Sequence, residues 1–99
     1  MSVSFFDPEN QTIYDDEYNI VREGTEVNFS NVNAAGVLRV MGLYDVTCPD
    51  LFGNMDGEVF IKLVWRGIYV CESTDQLDIK FRLEKLLEAF SEAKFVHWA

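Results

Sequence analysis

The chain has little of what most site chemistry is built from. Its 99 residues include two cysteines, one histidine and two prolines. Cys48 and Cys71 are too few for a disulfide framework, and no pair among Cys48, Cys71 and His97 has the short spacing of structural zinc sites. His97 is the sole imidazole available as a general base, and a packed or solvated terminal histidine accounts for it without partners. No glycine pattern matches a dinucleotide or P-loop fingerprint. The longest apolar stretch, Val59 to Cys71, is interrupted by Lys62, Arg66 and Gly67, which is too short and too charged for a membrane span. Met1 leads into no basic segment followed by an apolar one, so the expectation is a cytoplasmic protein with free thiols. No cofactor and no metal are expected.

Basic residues are also few. Eight Lys and Arg stand against seventeen Asp and Glu, a formal net charge of −9. Direct nucleic-acid binding is disfavoured, because phosphate contacts require clustered cations that release counterions. A basic partner surface suits this chain better. The excess is uneven: residues 1–30 carry Asp7, Glu9, Asp15, Asp16, Glu17, Glu23 and Glu26 against Arg22 alone. What the chain does have is apolar bulk, 48% hydrophobic and 14% aromatic, which argues for one folded domain over residues 1–99 rather than disorder.

The best-defined element begins at Ser30-Asn31. Either side chain can cap a first helical turn, Ala34, Val37, Leu38 and Met41 recur on one face, and Gly42 provides a left-handed stop. This predicts a buried helix over about 31–42. Before it, Val3–Phe6, Gln11–Tyr14, Tyr18–Val21 and Thr25–Phe29 are β-prone pieces separated by turn residues, and at least one of them is expected to be loop. After it, Tyr44–Asn54 reads as a loop with Tyr44, Leu51 and Phe52 as core anchors.

Between Glu58 and Cys71, propensity and periodicity disagree. The Val, Ile, Phe, Trp and Tyr content, with Arg66-Gly67 as a turn, reads as a hairpin. However, Glu58, Lys62, Arg66, Tyr69 and Ser73 share one stripe at helical spacing, while Val59, Phe60, Leu63, Val64, Gly67, Val70 and Cys71 fill the other side. We read a helix over about 57–72, capped by Asp56. A third helix, about 76–93, follows from caps at Ser73-Thr74-Asp75 and a stripe of Ile79, Leu83, Leu86, Leu87 and Phe90. Lys94–Ala99 closes as a β-prone terminus. The fold class is then α+β: a small antiparallel sheet from N- and C-terminal segments packed against three helices.

Candidate chemistry is sparse. Asp50, Asn54, Asp56 and Glu58 carry oxygen ligands but not in EF-hand order, and Asp56 is already used as a cap. The surface argument is stronger. Tyr14-Asp15-Asp16-Glu17-Tyr18 flanks a charge run with aromatics, a pairing that gives steering from carboxylates and contact area from tyrosines. Tyr14, Asp15, Asp16, Glu17 and Tyr18, with Glu23 and Glu26 beside them, are the candidate partner-binding residues. An acidic solubility loop is the plain alternative. A reading of another class is an assembly protein held by an apolar patch of Trp65, Tyr69 and Trp98, and a third is a small enzyme gathering His97, a cysteine and a carboxylate.

The stretch Ser30-Asn31-x-Asn33-Ala34-Ala35-x-x-Leu38-x-x-x-Gly42-Leu43, with Leu51-Phe52-Gly53 and the closing Val96-x-Trp98-Ala99, resembles small proteins of bacteria and their phages. That resemblance implies no activity. In size and acidity the chain is also similar to phage-encoded inhibitors of host defence, including anti-CRISPR proteins and DNA mimics. This likeness implies a partner that handles nucleic acid in a host cytoplasm.

Overall fold

A computed structural model describes residues 1–99. It contains strands β1 (Ser2–Phe6), β2 (Ile13–Tyr14), β3 (Ile20–Arg22), β4 (Glu26–Ser30), β5 (Gly53–Asp56) and β6 (Phe95–Trp98), and helices α1 (Asn31–Val40), α2 (Gly57–Thr74) and α3 (Leu77–Phe90). Four strands form one sheet in the order β4-β1-β6-β5, antiparallel throughout, and β2 and β3 form a separate two-stranded ribbon. The fold is α+β, as the sequence predicts.

Strand alternation gives the main sheet two different faces. Val3 lies opposite Phe29, Phe5 opposite Val27 and Trp98, and Met55 opposite Val96, so these side chains point to one side. That side meets the three helices. Phe5 is the hub of a ring cluster, 5.9 Å from Phe29, 6.1 Å from Phe60 and 5.9 Å from Trp98 by centroid, and Phe60 lies 5.9 Å from Phe90. Sixteen buried apolar residues form one cluster, with no buried polar or charged residue among them. Burying a large apolar side chain is worth about 1.5–3 kcal/mol, so each member of the aromatic hub ties the sheet to the helix layer by an amount of that order.

Helix α1 begins where Ser30 Oγ accepts the Asn33 N–H at 3.3 Å. Its regular part ends at Val40. Met41 is the cap, and Gly42 takes φ +82° so that the Leu43 N–H reaches the Leu38 carbonyl at 2.8 Å. The 58–71 ambiguity resolves as helix. Phe60, Val64, Gly67, Ile68 and Cys71 are buried at helical spacing, and their burial outweighs strand propensities worth tenths of a kcal/mol per residue. Gly67 is the point of close approach: a Cβ there would lie 2.9 Å from Leu83 Cδ1 and 3.2 Å from Val40 Cγ2.

Several expectations are corrected. Helix α2 runs on to Thr74, because Ser73 and Thr74 do not cap α3 but donate back to the Tyr69 and Val70 carbonyls. Asp75 ends α2 in the left-handed conformation, φ +58°, and α3 starts after Gln76 with no side-chain cap. Helix α3 stops at Phe90, short of 93. The sheet draws a fourth strand from mid-chain, since Gly53–Asp56 pairs with β6 as an edge strand where a loop is expected. Phe52 is 67% exposed rather than an anchor, and Val59, assigned to the apolar side, is exposed as well. Trp98 is 5% exposed, so it belongs to the core and not to a surface patch with Trp65 and Tyr69. No helix is long and apolar enough to cross a membrane.

Candidate interaction ribbon

The β2–β3 ribbon grows from a polar root. Asn10 donates from Nδ2 to Thr25 Oγ1 at 2.8 Å and accepts the Arg22 guanidinium at Oδ1 at 2.8 Å, while the Gly24 N–H donates to Thr12 Oγ1 at 3.1 Å. These bonds hold both ends of the ribbon together beside β1 and β4. They also hold Arg22, the one cation of residues 1–30, at the root and away from the acidic tip.

At the tip, the Tyr18 N–H donates to the Asp15 carbonyl at 3.0 Å and the Asp15 N–H to the Asn19 carbonyl at 2.9 Å, which closes a tight turn. Asp15 organises it from inside. Its carboxylate Oδ1 accepts the N–H groups of Glu17 and Asn19, each at 2.9 Å. The Asn19 backbone bond is the main reason the Asp15 carboxyl is held below its ordinary value. Asp15 is therefore occupied within the turn. Asp16 and Glu17, between its ends, accept no hydrogen bond from the chain and face water.

Tyr18 is the unusual member. It has φ +63°, a backbone conformation that glycine or asparagine adopts far more easily, yet the residue is 85% exposed. Neither core packing nor backbone ease explains an aromatic there. Ile13, Tyr14, Ile20 and Val21 are exposed too, so both strands show large apolar side chains to water around an acidic turn. A two-stranded ribbon of this kind has two unpaired edges and no helix over either face.

Of the remaining candidates, Glu26 lies on the sheet face that no helix covers and shares with Tyr14 a shallow cleft of about 280 Å³, lined also by Phe6 and Thr12. The ribbon thus leans beside the open face, where Phe6 and His97 pair across β1 and β6 with ring centroids 5.6 Å apart. Glu23 is exposed near the root. The structure brings Tyr14, Asp15, Asp16, Glu17 and Tyr18 together on one tip and sets Glu26 beside Tyr14. Sequence reasoning missed Ile13, Ile20 and Val21, whose residue types read as core, and the open-face pair of Phe6, placed there by alternation from the buried Val3 and Phe5, and His97, placed there by alternation from the buried Val96 and Trp98.

No three or more His, Cys, Asp or Glu side chains come together in an arrangement fit to hold a metal ion. Cys71 is buried, and desolvation pushes its thiol up, whereas Cys48 is exposed beside the Asp45 turn. Compared with known proteins, the chain matches no family model, no curated protein and no solved structure.

Proposed function

We propose that this chain is a non-enzymatic protein-binding module of the host cytoplasm that docks its acidic ribbon on a basic surface of a partner. The nearest functional type is a phage-encoded inhibitor that occupies the nucleic-acid-binding surface of a host protein. The observation that carries this reading is the tip itself: Asp16 and Glu17 free of intramolecular bonds, between exposed Tyr14 and Tyr18, on a ribbon that shows Ile13, Ile20 and Val21 to water. Free carboxylates speed encounter with a cationic surface, and exposed aromatics supply area that desolvates on contact. Two free thiols suit a reducing compartment.

The test separates charge from turn geometry. Asp15 is kept, because its carboxylate holds the turn, and Asp16→Lys with Glu17→Lys reverses the free charges. The immobilised protein is used to capture partners from bacterial lysate at low and at moderate salt, with mass spectrometric identification. A nucleic-acid-handling protein retained at low salt, reduced by added salt and lost with the double variant supports the reading, since surface charge pairs are screened over about 8–10 Å at physiological ionic strength. Equal capture by the double variant sinks it.

A second reading, self-assembly through an aromatic patch, retains Trp65 and Tyr69, which are one helical turn apart on α2 and both exposed. Salt-insensitive, concentration-dependent association in sedimentation, abolished by Trp65→Ser, would favour it over the ribbon.

A further inference from the structure

Far from the acidic tip in chemistry, a groove of about 370 Å³ runs between the outer edge of β4 and helix α3. Its floor is the strand edge and its wall is helical. Phe81, Arg82 and Lys85 rise from α3, Asn33 from the start of α1, and Asp78 stands among the lining residues. In a chain of net charge −9, this concavity has two cations and one acid.

The strand edge is open for pairing. Strand β4 is terminal in the sheet order, with β1 on one side and no strand on the other. The pairing with β1 runs through odd-numbered residues: the Asp7 N–H reaches the Thr25 carbonyl, and the Asn31 N–H reaches the Met1 carbonyl, with Phe5–Val27 and Val3–Phe29 in register between them. Antiparallel alternation then turns the N–H and C=O of Glu26 and Asn28 outward, and of the two Asn28 lines the groove. Neither makes a backbone bond to a loop or turn.

The wall is unpartnered as well. The one ion pair of the molecule joins Lys80 to Glu72, so no carboxylate lies within 4.0 Å of Arg82 or Lys85. Lys85 Nζ rests 5.0 Å from the centroid of the exposed Phe81 ring, which keeps that cation over the groove side of the helix. Arg82 is half-buried as a residue, and its guanidinium makes no hydrogen bond to the chain and leaves none of its nitrogens both buried and unbonded, so its donors are open to solvent.

We propose that this groove binds an extended peptide segment bearing carboxylate side chains, which adds as a strand to the outer edge of β4 and places a carboxylate against Arg82 and Lys85. Main-chain bonds to Asn28 fix register and affinity, and the cations supply the side-chain preference. The occupant differs from the ribbon's partner in charge, so the two surfaces are chemically complementary to different ligands.

The probe is an end-capped seven-residue peptide alternating valine and glutamate, titrated into isotope-labelled protein and followed by backbone amide shifts. Saturable binding at millimolar concentration or below, with the largest shifts at Asn28, Phe81 and Arg82, is expected. Arg82→Glu with Lys85→Glu, shown by circular dichroism to fold, weakens it by about tenfold or more, as expected when charge-assisted bonds are removed. Methylating the peptide nitrogens of alternate residues removes the strand bonds and abolishes binding in one of the two registers. Asp16→Lys with Glu17→Lys leaves the affinity unchanged, so failure of the groove and failure of the ribbon are read separately. The proposal is overturned by no binding, by equal binding of the lysine-for-glutamate peptide, by full binding of both N-methylated forms, or by shifts centred on the ribbon.

Discussion

Replacing two glycines by alanine, the same chemical change in two helices, should have opposite effects. Gly57 opens α2 directly after β5, and its N–H donates to the Lys94 carbonyl at 2.8 Å. A Cβ at this position would overlap the Ala93 carbonyl oxygen and lie 2.8 Å from the Ala93 carbonyl carbon. The obstacle is backbone, in the connection that leads from α3 into β6, and it cannot rotate away as a side chain does. Relief requires separating the start of α2 from that connection, with loss of the Gly57–Lys94 bond. Overpacking of this severity costs about 3 kcal/mol, a large share of the 5–15 kcal/mol typical of a small protein. Gly36 lies within α1, where a Cβ would meet only the Ile79 side chain, Cδ1 at 3.5 Å and Cγ1 at 3.7 Å, both ordinary contacts. Alanine there removes unfolded-state freedom and adds packing, a gain of about 0.5–1 kcal/mol. With a urea slope of about 1–3 kcal/mol per molar, Gly57→Ala should lower the unfolding midpoint by about 1 M or more and Gly36→Ala should raise it by a few tenths. A Gly57→Ala midpoint equal to that of the parent would refute the placement of β5 and α2 against the α3–β6 connection.

Other consequences are quickly checked. Under native conditions an alkylating reagent should modify Cys48 and spare Cys71, whose burial and raised thiol both oppose thiolate attack; equal labelling would place Cys71 at the surface. Acrylamide should quench the 55%-exposed Trp65 and leave Trp98 largely unaffected, so Trp65→Phe should remove most of the quenchable emission. The Asp15 and Asp45 carboxyls are both held below their ordinary value, Asp15 mainly by the Asn19 N–H and Asp45 mainly by the Thr47 hydroxyl. The stabilisation they give their turns is complete above the unfolded carboxyl value and is lost as pH falls through the lowered folded one. The Asn19 and Thr47 amides should therefore keep their shifts down to about pH 4 and lose them on further acidification, in Asp15→Asn and Asp45→Asn variants not at all in this window.

The helices were legible because one-sided apolar spacing is a strong signal when several large residues share the stripe. Phe60, Val64, Ile68 and Cys71 outvoted the β-branched content of their own segment, and Leu83, Leu86 and Phe90 did the same for α3. Strand β5 was not legible. Gly53-Asn54-Met55-Asp56 has no β-branched residue, and its place in the sheet depends on contacts made by residues more than thirty positions away. A Cβ on Gly53 would stand 2.6 Å from the Trp98 ring, so the strand lies flat under that indole only because no side chain intervenes. Helix ends failed for a related reason: Ser73 and Thr74 carry the hydroxyls of a cap, but hydroxyls bond equally well to the carbonyl four residues back, and tertiary packing decided. At the ribbon, the acids and tyrosines announced a surface, whereas Ile13, Ile20 and Val21 looked like interior residues until their strands were seen to lack a covering layer.

The distribution of charge follows from the same architecture. Of the eight cations, Arg39, Lys62, Arg66, Lys80, Arg82 and Lys85 stand on helices, while residues 1–30 keep only Arg22 and tie it to Asn10. A helix returns to the same face every three to four residues and exposes room for cations around a buried stripe; the ribbon and its turns have no buried stripe to serve and hold acids instead. Net charge alone would assign this protein a single cationic partner. Its fold instead presents an acidic tip with exposed aromatics and, on other elements, a groove walled by Arg82 and Lys85. On the two proposals made above, charge reversal at the tip changes capture of the cationic partner and leaves the groove peptide's affinity unaltered, which no account based on the total of −9 would predict.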